Sequence, residues 1–253
     1  MRNLIGFFLF VFAFGTFQTL AGKPNVVFFL VDDLGWSDVG CYGSSFYETP
    51  HIDRLAKEGV RFTSGYAACH VCSPTRASIL TGKYPATMNL TEWLNGRSDR
   101  PYQLLLNPDK AIALDPKENT LAEVLKKEGY ATALFGKWHL GKGTSPTEHG
   151  FDLHVPHSVN SNLGRRGFYH PQKIPGLDGG EYVTDRLAEL AAIYIDDNKD
   201  KSFFLYMSHF SVHDPIHGRP DLVKKYRKKL ARMKPQLGPD YILEGNPDLS
   251  LIH

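Results

Sequence analysis

Residues 25–33 read NVVFFLVDD, an apolar run rich in β-branched and aromatic side chains that stops at two adjacent carboxylates. A continuous run of this length predicts a strand buried on both faces of a parallel sheet, because a strand with one wet face alternates polar and apolar residues. Asp32 and Asp33 then stand at its carboxyl end. Two like charges placed there repel and lose hydration, so a cation, preferably a hard divalent ion, or a basic neighbour is expected to hold them, the alternative being a strand-exit turn with both acids solvated. A second apolar run, residues 202–208 (SFFLYMS), leads to His209, His213 and His217. A third, residues 131–135, follows a helix that opens with the capping box of Thr120 and Glu123 and closes at Gly129. It runs into GKWHLGKG, which puts Lys137 and His139 just past its end. Open α/β sheets bind ligands at the carboxyl ends of their strands. The alternation of helices and strands therefore predicts an α/β fold, a mixed, largely parallel sheet flanked by helices, with Asp32, Asp33, Lys137, His139 and His213 along one edge.

Residues 72–82, CSPTRASILTG, predict a helix with Ser73 as N-cap, Pro74 in the first helical position and Gly82 as the stop. Cys72 then sits at a helix N-terminus, where free N–H groups and the macrodipole favour an anion, and Arg76 adds a fixed positive charge one turn in. The same residues are equally compatible with a buried structural cysteine. Further helices are expected over residues 50–59, opened by Thr49-Pro50, and over residues 181–198, with Thr184 as a cap and Leu187, Leu190, Ala191 and Tyr194 on one face. Residues 60–66 look extended, and residues 86–116 form an irregular loop that lines a pocket or covers the surface. Residues 221–234 carry seven Lys or Arg on a helical pattern, which reads either as a solvated face or as a landing site for a polyanion.

With 253 residues, 42% of them hydrophobic, and a formal charge of +2, the chain can bury one substantial core and has no global bias toward nucleic acid. Residues 1–21 combine Arg2, an apolar stretch and the small residues around Ala21, the pattern of a secretory signal peptide. The apolar stretch is short for a bilayer span of about 20 residues, so a secreted or periplasmic protein with no stable membrane insertion after cleavage is expected, with an uncleaved membrane anchor as the lesser alternative. Cys41, Cys69 and Cys72 are too few for a disulfide framework. The Cys69–Cys72 pair lacks the strand that precedes a thioredoxin-type motif, and no second CxxC or HxxxH completes a zinc site.

The chain resembles the formylglycine-dependent sulfatases of the alkaline phosphatase superfamily, and most of all their arylsulfatase and N-acetylhexosamine-sulfatase branch. The resemblance rests on NVVFFLVDDLGWSDVGCYG, TPHIDRLAKEGVRFTSGYA, CSPTRASILTGKYP, GYATALFGKWHLG, EHGFD and the HDP of SVHDPIH, which together run from Asn25 to about Arg219. It implies that Cys72, read in its CxPxR context, is oxidised by a formylglycine-generating maturation enzyme to formylglycine (3-oxoalanine), whose hydrate attacks the sulfur of a sulfate ester and expels the alcohol. Asp32, Asp33 and the converted Cys72 would ligate a divalent cation, usually Ca2+. Arg76 would steady the hydrate, and Lys137 would bridge it and the sulfate. His139 would take the proton that lets sulfate leave and the aldehyde return. His213 would contact the sulfate and help protonate the leaving oxygen, acid-base help worth about 10² to 10⁴ in rate. Sulfated small molecules or glycans are the expected ligands. Phosphoesters are the nearest alternative, since phosphatase relatives use the same edge with a Ser or Thr nucleophile.

The family pattern continues beyond His213 with an Asp and an Asn in a DNG-type motif and a downstream substrate-binding lysine, none of which follows here. Asp197-Asn198 is no substitute, because it lies at the end of a predicted helix and before the strand that leads to His213. The resemblance thus implies an incomplete sulfatase N-terminal catalytic domain at residues 22–233, truncated before the last core strands and the C-terminal domain, followed by a divergent tail at 234–253. Two carboxylates and a formylglycine oxygen fall short of the roughly six to eight oxygens that calcium takes, and a partial sheet leaves an apolar face and an unpaired edge. The alternative readings are an inactive fragment that binds sulfated ligands or a partner without turnover and, more remotely, a CxxC oxidoreductase.

Overall fold

The computed structural model describes residues 22–156, 174, 180–213 and 216–233, so the signal-peptide reading, the tail and Asp214 of the HDP motif lie outside the described residues. Four strands, β1 (Val26–Leu30), β2 (Ala131–Gly136), β3 (Leu153–Val155) and β4 (Phe203–Ser208), form one sheet in the order β1-β4-β2-β3. Every pairing among them is parallel. Leu30 and Gly136 both pair with Ser208, so β1, β4 and β2 end level and release their next residues along one edge.

Alternation along the central strands sorts side chains onto two covered faces. Phe203, Leu205 and Met207 of β4 join Ala133 and Phe135 of β2 against Val183, Leu187 and Ala191 of the helix Val183–Asn198. Phe204, Tyr206 and Leu134 point the other way. They pack with Ala77 and Leu80 of the helix Cys72–Thr81, Ala122 of the helix Leu121–Lys127, Trp138 and Phe151. Each of the Val, Leu, Met and Phe side chains among them, taken fully out of water, contributes about 1.5–3 kcal/mol, so the sheet is held from both sides at its centre. Among the described residues the α-helices are, in chain order, α1 (Pro50–Glu58), α2 (Cys72–Thr81), α3 (Leu121–Lys127), α4 (Val183–Asn198) and α5 (Pro220–Met233).

The expectation that residues 25–31 form a strand covered on both faces is corrected by β1. Val26, Phe28 and Leu30 pack onto the α2 and α3 side, but Val27 is 40% and Phe29 61% exposed. Among the described residues β1 is an edge strand, and α4 packs mainly on β2 and β4. An apolar run alone does not distinguish a central strand from an edge strand whose outer face is also apolar.

The start of α2 also differs from the expectation. The helix begins at Cys72 with Val71 as N-cap and no side-chain cap, and Ser73 Oγ instead accepts the backbone N–H of Leu94 at 3.0 Å. Pro74 is tolerated two residues further in, because the first four N–H groups of a helix have no intrahelical partner. Thr184 likewise lies inside α4, whose N-cap is Tyr182, and its hydroxyl pairs with Ser211 Oγ at 2.7 Å. Residues 60–66 are exposed and form no strand. The cap at Thr49, the stops at Gly59 and Gly82 and the capping box of Thr120 with Glu123 are as the sequence predicts.

Gly136 decides how β2 ends. Its φ is 112°, and a Cβ there would lie 1.8 Å from the carbonyl oxygen of Ser208. Only glycine lets the chain press against β4 and then turn to present Lys137.

Candidate active site

Asp32 is the hub of the edge. It sits beyond β1, 6% exposed, with its backbone fixed to the β4 exit by Asp32 N–H to Ser211 O at 2.9 Å and Val212 N–H to Asp32 O at 2.6 Å. Lys137, released by Gly136, places its ammonium on Asp32 Oδ2, and Arg76 of α2 brings Nη2 within 3.2 Å of Oδ1. All three side chains are nearly inaccessible to water. Burial acts to raise the Asp32 pKa, but the charges of Arg76 and Lys137 outweigh it and hold the carboxyl below its ordinary 3.8.

Cys72 opens α2 beside this triad. Its Sγ lies 3.5 Å from Lys137 Nζ and 3.9 Å from Asp32 Oδ2, and it makes no disulfide. The sulfur therefore stands in a polar niche with a cation and a carboxylate at hand. One carboxylate faces two buried cations, which leaves an excess of positive charge beside the sulfur, suited to an anionic ligand. The backbone explains the convergence: α2 packs under the sheet through Ala77 and Leu80, which carries its first turn to the level edge of β1, β4 and β2.

Ser208, the last residue of β4, is a site residue that the sequence reading passes over as the end of an apolar strand. Its fully buried hydroxyl donates to the carbonyl of Lys137 at 2.6 Å and receives Arg76 Nη1, which also donates to the Lys137 carbonyl at 2.9 Å. Ser208 thus locks the guanidinium to the ends of β2 and β4. A polar residue closing an otherwise apolar buried strand is the signal that could have found it.

The remaining predicted residues form a mouth around this centre. His213 Nε2 is 3.8 Å from Asp33 Oδ2, and both are partly exposed. Among the described residues, Asp32, Cys72 and His213 offer ligand atoms that all lie within 4.8 Å of one another, whereas Asp33 stands outside that group. His139 points its Nε2 at the carbonyl of Leu94, while its Nδ1 is buried without a hydrogen bond. Desolvation, with the charge of Lys137 adding to it, pushes the His139 pKa down to about 4, so the imidazole is neutral at physiological pH. Asp33 and His139 both adopt the left-handed backbone, with φ of 61° and 56°. Conformations of that kind cost on the order of 1–3 kcal/mol and concentrate at functional sites. His209 is not brought into the group. It stacks on Phe29 with ring centroids 6.0 Å apart, and burial lowers its pKa. Asp197 and Asn198 end α4, and the Asn198 amide is spent on the carbonyl of Tyr194 at 2.8 Å.

The family model for sulfatases matches residues 24–235. N-acetylgalactosamine-6-sulfatase of Sus scrofa is 43% identical over 217 residues, which are 77% of this chain and 40% of that protein. Arylsulfatase A of Homo sapiens is 33% identical over 226 residues, 78% of this chain and 42% of that protein. A protein solved in complex with its substrate, D-glucosamine-2-N, 6-O-disulfate, superposes with a TM-score of 0.64 at 26% identity, covering 83% of this chain and 38% of its own. The chain thus spans about 40% of the length of these curated relatives. The match takes in both the strand that delivers Asp32 and the helix that carries Cys72 and Arg76, and the chain belongs to the sulfatase family.

Proposed function

We propose that this chain carries the catalytic centre for hydrolysis of sulfate esters, on carbohydrate or aryl alcohols, within a domain spanning residues 22–233. The observation that carries the reading is the meeting of Cys72 with Lys137, Arg76 and Asp32 at the level end of three parallel strands. A sulfate ester is an anion, and a buried pair of cations with one shared carboxylate leaves net positive charge to receive it.

The niche of Cys72 fits formylglycine, since the side chain faces an ammonium and a carboxylate and not an apolar wall. Converted in this way, the residue would supply a hydrated aldehyde as the nucleophile. A divalent cation such as Ca2+ also fits the donor set, because Asp32, the Cys72 side chain and His213 bring ligand atoms within 4.8 Å of one another and Asp33 stands beside His213. Asp32, Asp33 and the converted Cys72 would hold the ion, whose chemistry there is to make the nucleophile more acidic. The chain's own residues then divide the work. Lys137 binds a sulfate oxygen, and Arg76 orients Lys137 and Asp32. His139, neutral at physiological pH, accepts a proton, and His213 at the mouth delivers one to the departing alcohol oxygen.

Two further parts of the reading concern processing: residues 1–21 direct export and are removed, and a maturation enzyme converts Cys72. Mass spectrometry of the Cys72 peptide tests the second, since conversion lowers its mass by about 18 Da. Protein with converted Cys72 is expected to hydrolyse an aryl sulfate and to lose that activity with a chelator. No turnover from fully converted protein would overturn the hydrolytic reading in favour of binding without turnover. A preference for an aryl phosphate would move the centre to the phosphoester class, and N-terminal sequencing of secreted protein tests the leader.

A further inference from the structure

α5 buries none of its residues, yet it has two distinct faces. One is docked: the Tyr226 ring lies 5.4 Å from Phe46 and 5.8 Å from Tyr47, and its hydroxyl accepts the N–H of Glu48 at 3.0 Å. Lys225 and Lys229 share the Glu48 carboxylate at 2.5 and 3.2 Å. Lys224, Lys228 and Arg232, by contrast, recur every fourth residue and so form a stripe along the helix with about 6 Å between successive positions. None of these three has an ion-pair partner among the described residues. Together with Lys225 and Lys229 they line an open concavity of about 570 Å³, whose two carboxylates, Glu48 and Asp221, are already paired, Asp221 with Arg219 at 3.0 Å.

We propose that the Lys224–Lys228–Arg232 row is a docking site, separate from the catalytic centre, for a linear sulfated glycan. Three evenly spaced cations beside a shallow groove suit a polymer that carries its anionic groups in series, and cost little to desolvate because they lie at the surface. Single-stranded nucleic acid binding requires exposed aromatic platforms, and the aromatic ring of α5 is turned inward onto Phe46 and Tyr47. Membrane docking requires a broad apolar face opposite the charges, and α5 instead uses that side for Tyr226 and the Glu48 pairs. The choice of a sulfated chain over another polyanion rests on the proposed sulfate-ester hydrolysis. α5 begins seven residues after His213, and Arg219 just ahead of it is tied to Asp185 of α4 at 3.1 Å, so a chain held on the row is tethered on the segment that leaves the catalytic edge.

The test uses the full chain carrying Cys72→Ala, so that binding is read without turnover, and measures affinity for heparin across a salt series, with unsulfated hyaluronan and oligothymidylate as competing polyanions. Replacing Lys224, Lys228 and Arg232 together by Gln is expected to weaken heparin binding at least tenfold and to reduce the slope of log affinity against log salt by about two. A control with the same charge removed elsewhere, Lys57, Lys117 and Lys127 to Gln, is expected to leave both unchanged. The proposal is overturned if the row variant binds heparin as the parent does, if the control loses as much, or if hyaluronan or oligothymidylate binds as tightly as heparin. Turnover of a small aryl sulfate by converted protein with the row substituted is expected to be unchanged. If converted protein with an intact row binds heparin but never turns over the aryl sulfate, hydrolysis fails while the docking row stands.

Discussion

Asp32→Asn is the most informative single substitution, because it removes one charge from a triad in which the other two cannot reach water. Arg76 and Lys137 side chains are each 2% exposed, and that of Asp32 is 7%. At 3.2 Å and an effective dielectric of about 20, the Arg76 to Asp32 attraction alone is about 5 kcal/mol before desolvation is charged against it. Removing one partner from a buried ion pair typically costs about 3–5 kcal/mol, because the survivor is left buried and uncompensated. Here two survivors also repel each other, which places the expectation at the upper end of that range. With an m-value of about 2–3 kcal/mol/M, the urea midpoint should fall by about 1.5–2.5 M. Measurement in chelator-containing buffer keeps Asp32 free of divalent ions. The pH profile supplies a second readout. The folded carboxyl is held below its ordinary 3.8, so below that pH the unfolded chain takes up the proton more readily than the folded one. The stability owed to charged Asp32 is therefore complete above 3.8 and is lost as pH falls through the lowered folded value, and the variant should lack this limb. Lys137→Met added to Asp32→Asn should recover part of the loss. A midpoint change worth less than about 1 kcal/mol, or an unchanged acid limb, would refute the picture of a desolvated triad.

Cys72→Ala should abolish aryl sulfate turnover while shifting stability by no more than about 1 kcal/mol, since the residue is only partly buried; thermal unfolding and an activity assay check both halves. His139→Gln should flatten the pH dependence of stability between 6.5 and about 4. In that interval the unfolded chain is protonated at His139 and the folded chain is not, so the native protein loses stability as pH falls. Gly136→Ala should cost more than about 4 kcal/mol or prevent folding, because the new Cβ meets the Ser208 carbonyl at 1.8 Å with φ at 112°; soluble yield and denaturant melts report the outcome.

The parallel strands were legible because β2 and β4 are short apolar runs followed by chemistry-bearing residues, and the helix limits because Thr-Pro, capping-box and glycine signals act locally. What sequence could not carry is strand order. NVVFFLV reads as a central strand, and only the pairing of β1 with β4 alone makes it an edge whose Val27 and Phe29 face outward. Within the candidate site, the meeting of Asp32, Cys72, Arg76 and Lys137 was legible from strand ends and a helix start. Ser208 was hidden because its function comes from residues 71 and 132 positions away, Lys137 and Arg76. The Ser73 assignment failed for the same reason: a tertiary bond to the N–H of Leu94 outcompeted the local cap.

The hydrogen bonds of the two cations argue for different tasks on the proposed reading. Arg76 uses Nη1 for both the Lys137 carbonyl and Ser208, and its Nη2 lies against Asp32, so its plane is fixed by three groups from three segments. A guanidinium held this way cannot follow a moving ligand. It can only maintain a field and brace the ends of β2 and β4. The ammonium of Lys137 has three N–H donors on a rotatable stem, of which two are directed at Asp32 and Cys72. On that reading its third donor meets an incoming sulfate oxygen beside the Arg76 Nε and Nη2, which make no hydrogen bond of their own, and the bond to Asp32 stops the ammonium from swinging away when that oxygen departs. The carboxylate that the sequence suggests as a metal ligand thus also serves as the counter-ion that keeps two cations buried and aimed.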